Sequence, residues 1–324
     1  MVKFYIGVDV SKDSLDYYDG ENKEEGQFSN DLESIVSWLS GFDASRHIFV
    51  FEPTGTYGDK LLCSLVDGGF EIRLANPRSS HGFMKALGLL HKNDKNAAWA
   101  LVRMGESIDL PVHQPKDKNM RDRKQVQMAY NALTKQKRQL SNQLHSLGQY
   151  SSIHDGARSA LEACLGKVEQ ELGKLESELE SLDDGDADHF KERVTSVKGL
   201  GPKSASLLLT YTNGFKMFDK VGSLLNFVGI VPSSHSSGSS VYKRGGMTKK
   251  GASQLRSVLY NAAKSAKRYN NACIAIYERL RKKGKPHKVA MVAVMKKLLQ
   301  QAFAIVKQDT DFDNDLYLKN MATN

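Results

Sequence analysis

The sequence predicts an α/β region at the N-terminus followed by a mostly α-helical remainder. Three observations carry that expectation. Short apolar strands alternate with amphipathic helices up to Pro77. A leucine heptad runs through the middle of the chain. The last third has helical periodicity, is rich in Lys and Arg, and is broken by Gly-rich turns.

Each element has a local reason. Residues 2–10 alternate Phe4, Ile6, Val8 and Val10 on one side, the period of a half-buried strand. "LDYYDG" (15–20) reads as a second strand ending in a turn, and "EEGQFSN" as a third. "DLESIVSWLSGF" has the spacing of an amphipathic helix, with Asn30 or Asp31 as its cap. "HIFVFEPTG" (47–55) is a buried strand running into a turn, "TYGDKLLCSLVDGG" a helix with a Gly stop, and "FEIRLANP" another strand. Strands alternating with helices argue for a parallel or mixed sheet. Two opening hairpins followed by β-α-β-α-β match the strand plan of the ribonuclease-H-like fold.

In the middle, Val126, Leu133, Leu140 and Leu147 recur every seven residues. After a Ser-Gly break near 148–156, Leu161, Leu165, Val168, Leu172, Leu175, Leu179 and Leu182 alternate steps of four and three, the seam of a coiled coil. Self-association is one expectation; packing within the domain is the other. "DDGDAD" (183–188) reads as a linker. Beyond it, "SVKGLGPKSASLLL" (196–209) fits a helix-hairpin-helix, where Gly199 and Gly201 let the backbone approach a phosphate beside Lys203. Residues 231–251 are too polar and Gly/Ser-rich for a core. They read as a linker or as an anion-facing active-site loop bearing Lys243, Arg244, Lys249 and Lys250. The resulting division is 1–125, 126–188 and 189–324.

Charge separates these regions. The net charge of +9 arises from −5 over residues 1–96, +5 over 97–150, −8 over 151–190 and +17 over 191–324. So positive a final third calls for a polyanion, and nucleic acid is the leading one; a lysine-rich solvated surface is the alternative. No run approaches the ~20 apolar residues of a membrane span. No cationic start precedes an apolar signal segment. The expected location is the bacterial or archaeal cytoplasm, associated with the nucleoid. Cys63, Cys164 and Cys273 form no CxxC and read as reduced, mostly buried thiols.

The chemistry begins with two carboxylates. Asp9 lies within the first strand beside Gly7, and Glu52 ends "IFVF" just before "PTGTY". Acids on neighbouring strands repel unless a cation lies between them, and converging carboxylates are ordinary ligands of Mg²⁺. Asp94 opens a helical stretch as a third acid. Residue 97, one turn on and sharing its face, is alanine. Singly, Asp9 reads equally as a turn residue, Glu52 as a partner of lysine and Asp94 as a helix cap.

"YIGVDVSKDSLD", "EPTGTYG", "KNDKNAAWA", the Gly-Leu-Gly hairpin and "GIVPSSHSSGSSVYKRGGMTKKGASQLRSVLY" together resemble the insertion-sequence-110 family of transposases, from about residue 3 to about 307. The resemblance implies a RuvC-like DEDD domain in which Asp9, Glu52 and Asp94 bind one or two Mg²⁺. It implies that Ser237 is the nucleophile that holds a DNA strand covalently. It also implies a structured guide (bridge) RNA pairing with target and donor DNA. It further implies a homo-oligomer, a dimer of dimers joined partly through the coiled coil, with the acids of one subunit paired to the serine of another. No membrane is involved.

The departure is Ala97, where the family pattern "KNDKNDA" carries its fourth acid. It implies an impaired enzyme or a non-catalytic relative that binds RNA and DNA. A site-specific DNA invertase of the same family is a further alternative. "GVDVS" also resembles the first phosphate loop of actin-like ATPases and sugar kinases, but no second Asp-Gly phosphate turn or Gly-rich adenosine loop accompanies it.

Overall fold

The computed structural model describes residues 2–53, 55–89, 94–113, 118–237, 241–248 and 251–316. It divides into two compact units, 1–115 and 116–324.

The first unit is built on a five-stranded sheet of order β3-β2-β1-β4-β5. Its strands are β1 (Phe4–Val10), β2 (Ser14–Asp19), β3 (Glu25–Ser29), β4 (His47–Phe51) and β5 (Glu71–Leu74). The three N-terminal strands form antiparallel hairpins, while β4 and β5 add in parallel beside β1. Helices α1 (Leu32–Leu39) and α2 (Asp59–Asp67) cover one face. There Ile6, Val8, Val10, Leu15, Phe49 and Phe51 form the core with Ile35, Leu61 and Leu65. Asp31 caps α1, accepting from the Ser34 amide at 2.8 Å.

The other face takes α4 (Asp94–Ser107), with α3 (Pro77–Ala86) beside it. Tyr5, Val50, Leu101 and Met104 pack there. The contact is close because Gly7 has no side chain: a Cβ on it would lie 2.0 Å from the Ala98 carbonyl oxygen. At the other end of the contact, Gly105 meets Tyr5 and Val50 in the same way. Helix α4 therefore runs opposite to β1. Helices on both faces of the mixed sheet bear out an α/β, RuvC-compatible N-terminal region.

In the second unit, α5 (Lys118–Leu147) and α6 (Asp155–Ser181) form an antiparallel hairpin. Tyr130, Leu172 and Leu179 are its buried seam, flanked by Val126, Leu133, Val168 and Leu175. Tyr130 Oη donates to Glu176 Oε1 at 2.6 Å. The heptad thus packs, over this length, against the chain's own preceding helix.

Residues 183–188, expected as a linker, are instead structural. Asp184 caps α7 (Gly185–Ser196), accepting from the Ala187 amide at 2.8 Å. Asp183 pairs with Lys191 and with Arg123, whose side chain is 1% exposed. Arg123 also donates to Thr210 Oγ1 at 3.1 Å, Ser206 Oγ at 2.9 Å and the Leu179 carbonyl at 2.9 Å. This one guanidinium, from α5, joins α6 to α8 (Pro202–Thr212). The expected boundaries after 125 and 188 accordingly do not coincide with those of the compact units: α5 and α6 share a unit with everything C-terminal to them.

The rest of the unit comprises α9 (Val221–Val228), α10 (Ser253–Tyr269), α11 (Asn271–Lys282) and α12 (His287–Gln308), with a two-stranded sheet of β6 (Pro232–Ser237) and β7 (Val241–Met247). The polar 231–251 segment, expected as an irregular loop or linker, holds this hairpin. Helix α12 corrects the expectation about apolar runs. Its length and hydropathy would allow it to cross a membrane, yet it lies at the centre of the helical core, where Met291, Val294, Leu298 and Leu299 are fully buried. Cys164 is exposed rather than buried; Cys273 is buried, and burial pushes its thiol up to about 12.

Replacing Arg123 by alanine leaves the Asp183 carboxylate with Lys191 alone and Thr210 and Ser206 without their donor. The expected loss of stability is about 1–3 kcal/mol, read as a lower urea midpoint for the C-terminal unit.

Candidate active site

The sheet brings the two strand-borne acids to one edge. Val8 pairs with Phe51 across the parallel β1–β4 ladder, so Asp9 and Glu52 are the next residues on adjacent strands. Neighbouring strands lie about 4.8 Å apart. Side chains alternate faces along a strand, so both acids fall on the face of Gly7 and Val50, the one covered by α4. Both are partly buried.

Helix α4 brings the third position to the same place. Ala98 sits over Gly7. Going back four residues along the helix covers about 6 Å, as does going forward two residues along β1. That puts the backbone of Asp94 level with Asp9. The side chain of Asp94 lies outside the described set. Ala97 is 4% exposed and packs with Met84 and Ala100, flanked by Leu89 and Trp99. The position where a fourth acid was expected is therefore part of a small apolar cluster.

Several neighbours hold this edge in place. Ser80 on α3, itself buried, donates to Glu52 Oε1 at 2.5 Å. Asn30 Nδ2 donates to the Ser11 carbonyl at 2.8 Å and to the Tyr57 carbonyl at 3.0 Å, joining the loops that follow β1 and β4. Asp16 stands directly opposite Asp9 on β2, on the same face, and is 6% exposed. Gln27 Nε2, opposite it on β3, donates to both Asp16 oxygens at 3.0 and 3.1 Å. A polar row of Gln27, Asp16, Asp9 and Glu52 thus crosses four strands. Sequence reasoning missed Asp16, Gln27 and Ser80. The signal for Asp16 was present: the tight Ser11–Ser14 turn sets the register that faces 9 with 16.

Among the described residues, no three His, Cys, Asp or Glu side chains group closely enough to hold a metal ion. Two hard oxygen donors, Asp9 and Glu52, are in place on adjacent strand ends, and the third position opens α4. Such a donor set suits an oxygen-liganded divalent cation.

The other expected site residues belong to the second unit. Ser237 is the last residue of β6, paired with Val241, the first of β7. Lys243 and Arg244 stand on β7 opposite His235 and Ser234. Their side chains are outside the described set, and Lys249 and Lys250 lie outside the described residues altogether. The Gly199–Gly201 turn joins α7 to α8. Gly199 has φ +112°, and a Cβ there would lie 2.6 Å from the Ala266 Cβ, so its close approach is to α10. Gly201 has open space beside it. Lys203 is exposed, its ammonium 3.3 Å from Tyr130 Oη and 5.2 Å from the ring centre.

Comparison with known proteins matches two family models in order. The DEDD transposase model of the IS110 group matches residues 6–149, and the model of the Transposase IS116/IS110/IS902 family matches residues 191–278. The chain belongs to the IS110 family of transposases. Family members are transposases and recombinases acting on DNA, and the DEDD class suggests divalent-metal use in general. The chain is 26% identical to the pilin gene-inverting proteins of Moraxella bovis and Moraxella lacunata over 335 aligned residues, covering 98% of this chain and 100% of each relative. It is also 26% identical, over 37% of its length and 30% of the relative's, to an uncharacterized 43.6 kDa protein of insertion element IS110 from Streptomyces coelicolor.

Because the acid edge depends on α4 lying against β1, Gly7→Ala should displace that helix. The Cβ cannot be accommodated 2.0 Å from a backbone oxygen. The expected result is a lower melting temperature for the N-terminal unit and strand cleavage reduced at least tenfold, read by thermal unfolding and by nicking of labelled DNA.

Proposed function

We propose that this protein is an RNA-guided DNA recombinase of an insertion sequence that cuts and rejoins strands through a serine–DNA intermediate. The observation that carries the reading is the meeting of Asp9, Glu52 and the start of α4 at one end of the sheet. Carboxylates about 5 Å apart repel by roughly 3 kcal/mol at an effective dielectric near 20, a cost that a bound cation reverses. Asp9, Glu52 and Asp94 would hold Mg²⁺. When bound, the ion stabilises charge on the phosphate being cut. Ser80 fixes the Glu52 carboxylate, and the Asn30 amide fixes the loops on either side of it.

Ser237 is the proposed nucleophile. Its oxygen forms the new phosphoester as a DNA oxygen leaves with the proton. The ester conserves the bond energy needed for rejoining. Lys243, Arg244, Lys249 and Lys250 supply cations for the DNA backbone around that hairpin. The α7–α8 turn acts as a helix-hairpin-helix, with Gly201 and Lys203 toward a phosphate and Gly199 seated on α10. The α5–α6 hairpin serves as the coiled coil for oligomer formation; Leu140, Leu144, Leu161 and Leu165 near its tip are only partly buried. A guide RNA supplies most of the sequence choice.

A second reading, site-specific DNA inversion, is favoured by the names of the full-length Moraxella relatives. A plasmid with two sites in inverted orientation separates the two: inversion without excision supports the invertase, and an excised circle supports the transposase.

Replacing Ser237 by alanine should abolish covalent protein–DNA adducts on denaturing gels while leaving DNA binding within about twofold. A persistent adduct would refute the serine assignment. Ala97→Asp puts a carboxylate among Met84 and Ala100. Without divalent ions it should lower stability by about 1–3 kcal/mol, and Mg²⁺ should restore the melting temperature and raise cleavage above that of the natural chain. A stability loss that Mg²⁺ leaves unchanged would place residue 97 away from any cation.

A further inference from the structure

Between Ser253 and Gln308, the chain carries thirteen Lys and Arg and one acid, Glu278. Such an excess is destabilising unless solvent or a polyanion takes it up. Among the described residues, no ion pair involves Lys264, Lys267 or Arg281. The three helices here bury their apolar sides: Leu255, Leu259, Ala263 and Ala266 of α10, Ala272 and Cys273 of α11, and Met291, Val294 and Leu298 of α12 are closed off in the core. The cations therefore lie on the outside.

Their arrangement is specific. Tyr260, Lys264 and Lys267 recur at i, i+4 and i+7, one stripe of α10. The Lys264 ammonium stands 5.3 Å from the centre of the Tyr260 ring. The Lys267 ammonium stands 5.2 Å from the Tyr277 ring, which belongs to α11. Tyr277 Oη lies 2.8 Å from His287 Nδ1, at the start of α12, and the two rings meet edge to face at 5.7 Å. Arg281 is one turn beyond Tyr277 on the same side of α11, its guanidinium fixed by the Lys285 carbonyl at 2.7 Å. Tyr260 and Tyr277 are partly buried, while Lys264, Arg281 and His287 are exposed. The result is a patch of two lysine–ring pairs, with Arg281 and His287 beside the second, on α10, α11 and the start of α12.

We infer that this stripe is a track for a single-stranded segment of nucleic acid. The inference rests on the nucleic-acid function proposed above and locates a surface on α10 and α11, beside the place where the Gly199–Gly201 turn meets α10. A duplex keeps its bases stacked internally and offers the stripe only phosphates. A single strand offers phosphates to Lys264, Lys267 and Arg281 and bases to Tyr260 and Tyr277. When a phosphate draws a lysine off its ring, the ring face is uncovered for a base. Stacking a base on an aromatic side chain is stronger than the solvent-exposed cation–ring contact it replaces.

The test uses the full chain and fluorescence anisotropy with labelled dT₂₀, the matching single-stranded RNA, and a duplex of equal length. The combined Tyr260→Leu and Tyr277→Leu variant keeps the apolar bulk of both rings. It should bind single strands at least tenfold more weakly and the duplex within about twofold. Lys264→Gln with Lys267→Gln, the first exposed and the second partly buried, should lower the salt slope for single strands by about 1.4, or about 0.7 for each phosphate contact. The DNA and RNA arms show which strand the track prefers. Variants that match the natural chain on single strands, or that lose single strand and duplex equally, overturn the track. A natural chain that binds no nucleic acid at all overturns the function on which it rests.

Discussion

One close contact sets the geometry of the acid edge. The Ala98 carbonyl occupies the space that a side chain at position 7 would fill. That contact fixes how far α4 slides along β1 and how near it lies. The offset of Asp94 from Asp9 then follows from the rise of a helix and the rise of a strand. The Asp9–Glu52 neighbourhood is fixed independently, by the β1–β4 register. The site is the intersection of a hydrogen-bond ladder and a steric contact. Neither needs the carboxylates in order to form. The scaffold can therefore hold two like charges side by side, since the hydrophobic face of α1 and α2 and the α4 packing supply the stability.

Most of this architecture was legible in the sequence, because period and punctuation encode it directly. Phe4 to Val10 alternate as a strand must, Asp31 sits where a helix cap belongs, and "IFVF" is apolar at every position, as a strand covered on both faces should be. What could not be read was cross-chain register. Asp16 sits within "LDYYDG" with no local mark of its role, since its place opposite Asp9 depends on the length of the Ser11–Ser14 turn. Ser80 reaches Glu52 from a helix that the strand-helix alternation did not announce. The Asp183–Asp188 run looked like a linker on composition alone, because the buried arginine that binds Asp183 is sixty residues away. Helix α12 looked too broken by Lys296, Lys297 and Gln300 to rank as a long apolar segment, yet those residues fall on its solvent side or at its margin.

Ala97 shows how one position can serve two demands. It is nearly closed off beside Met84 and Ala100. A small apolar residue is the unstrained choice for the fold there. An acid in the same place requires something to compensate a buried charge. The balance between apolar packing and charge at this edge is therefore set at a single Cβ.

The α5–α6 hairpin has a mechanical consequence. Its base is gripped by a guanidinium with four acceptors, a carboxylate, two hydroxyls and a carbonyl, and its far half carries little packing. A 30-residue helix is roughly 45 Å long. From Arg123 to Leu147 the helix runs about 36 Å, so a tilt of about 5° at that root would sweep the tip through about 3 Å. The hairpin is a lever: a load applied at its end arrives, demagnified in distance and multiplied in force, at the Thr210 and Ser206 hydroxyls of α8.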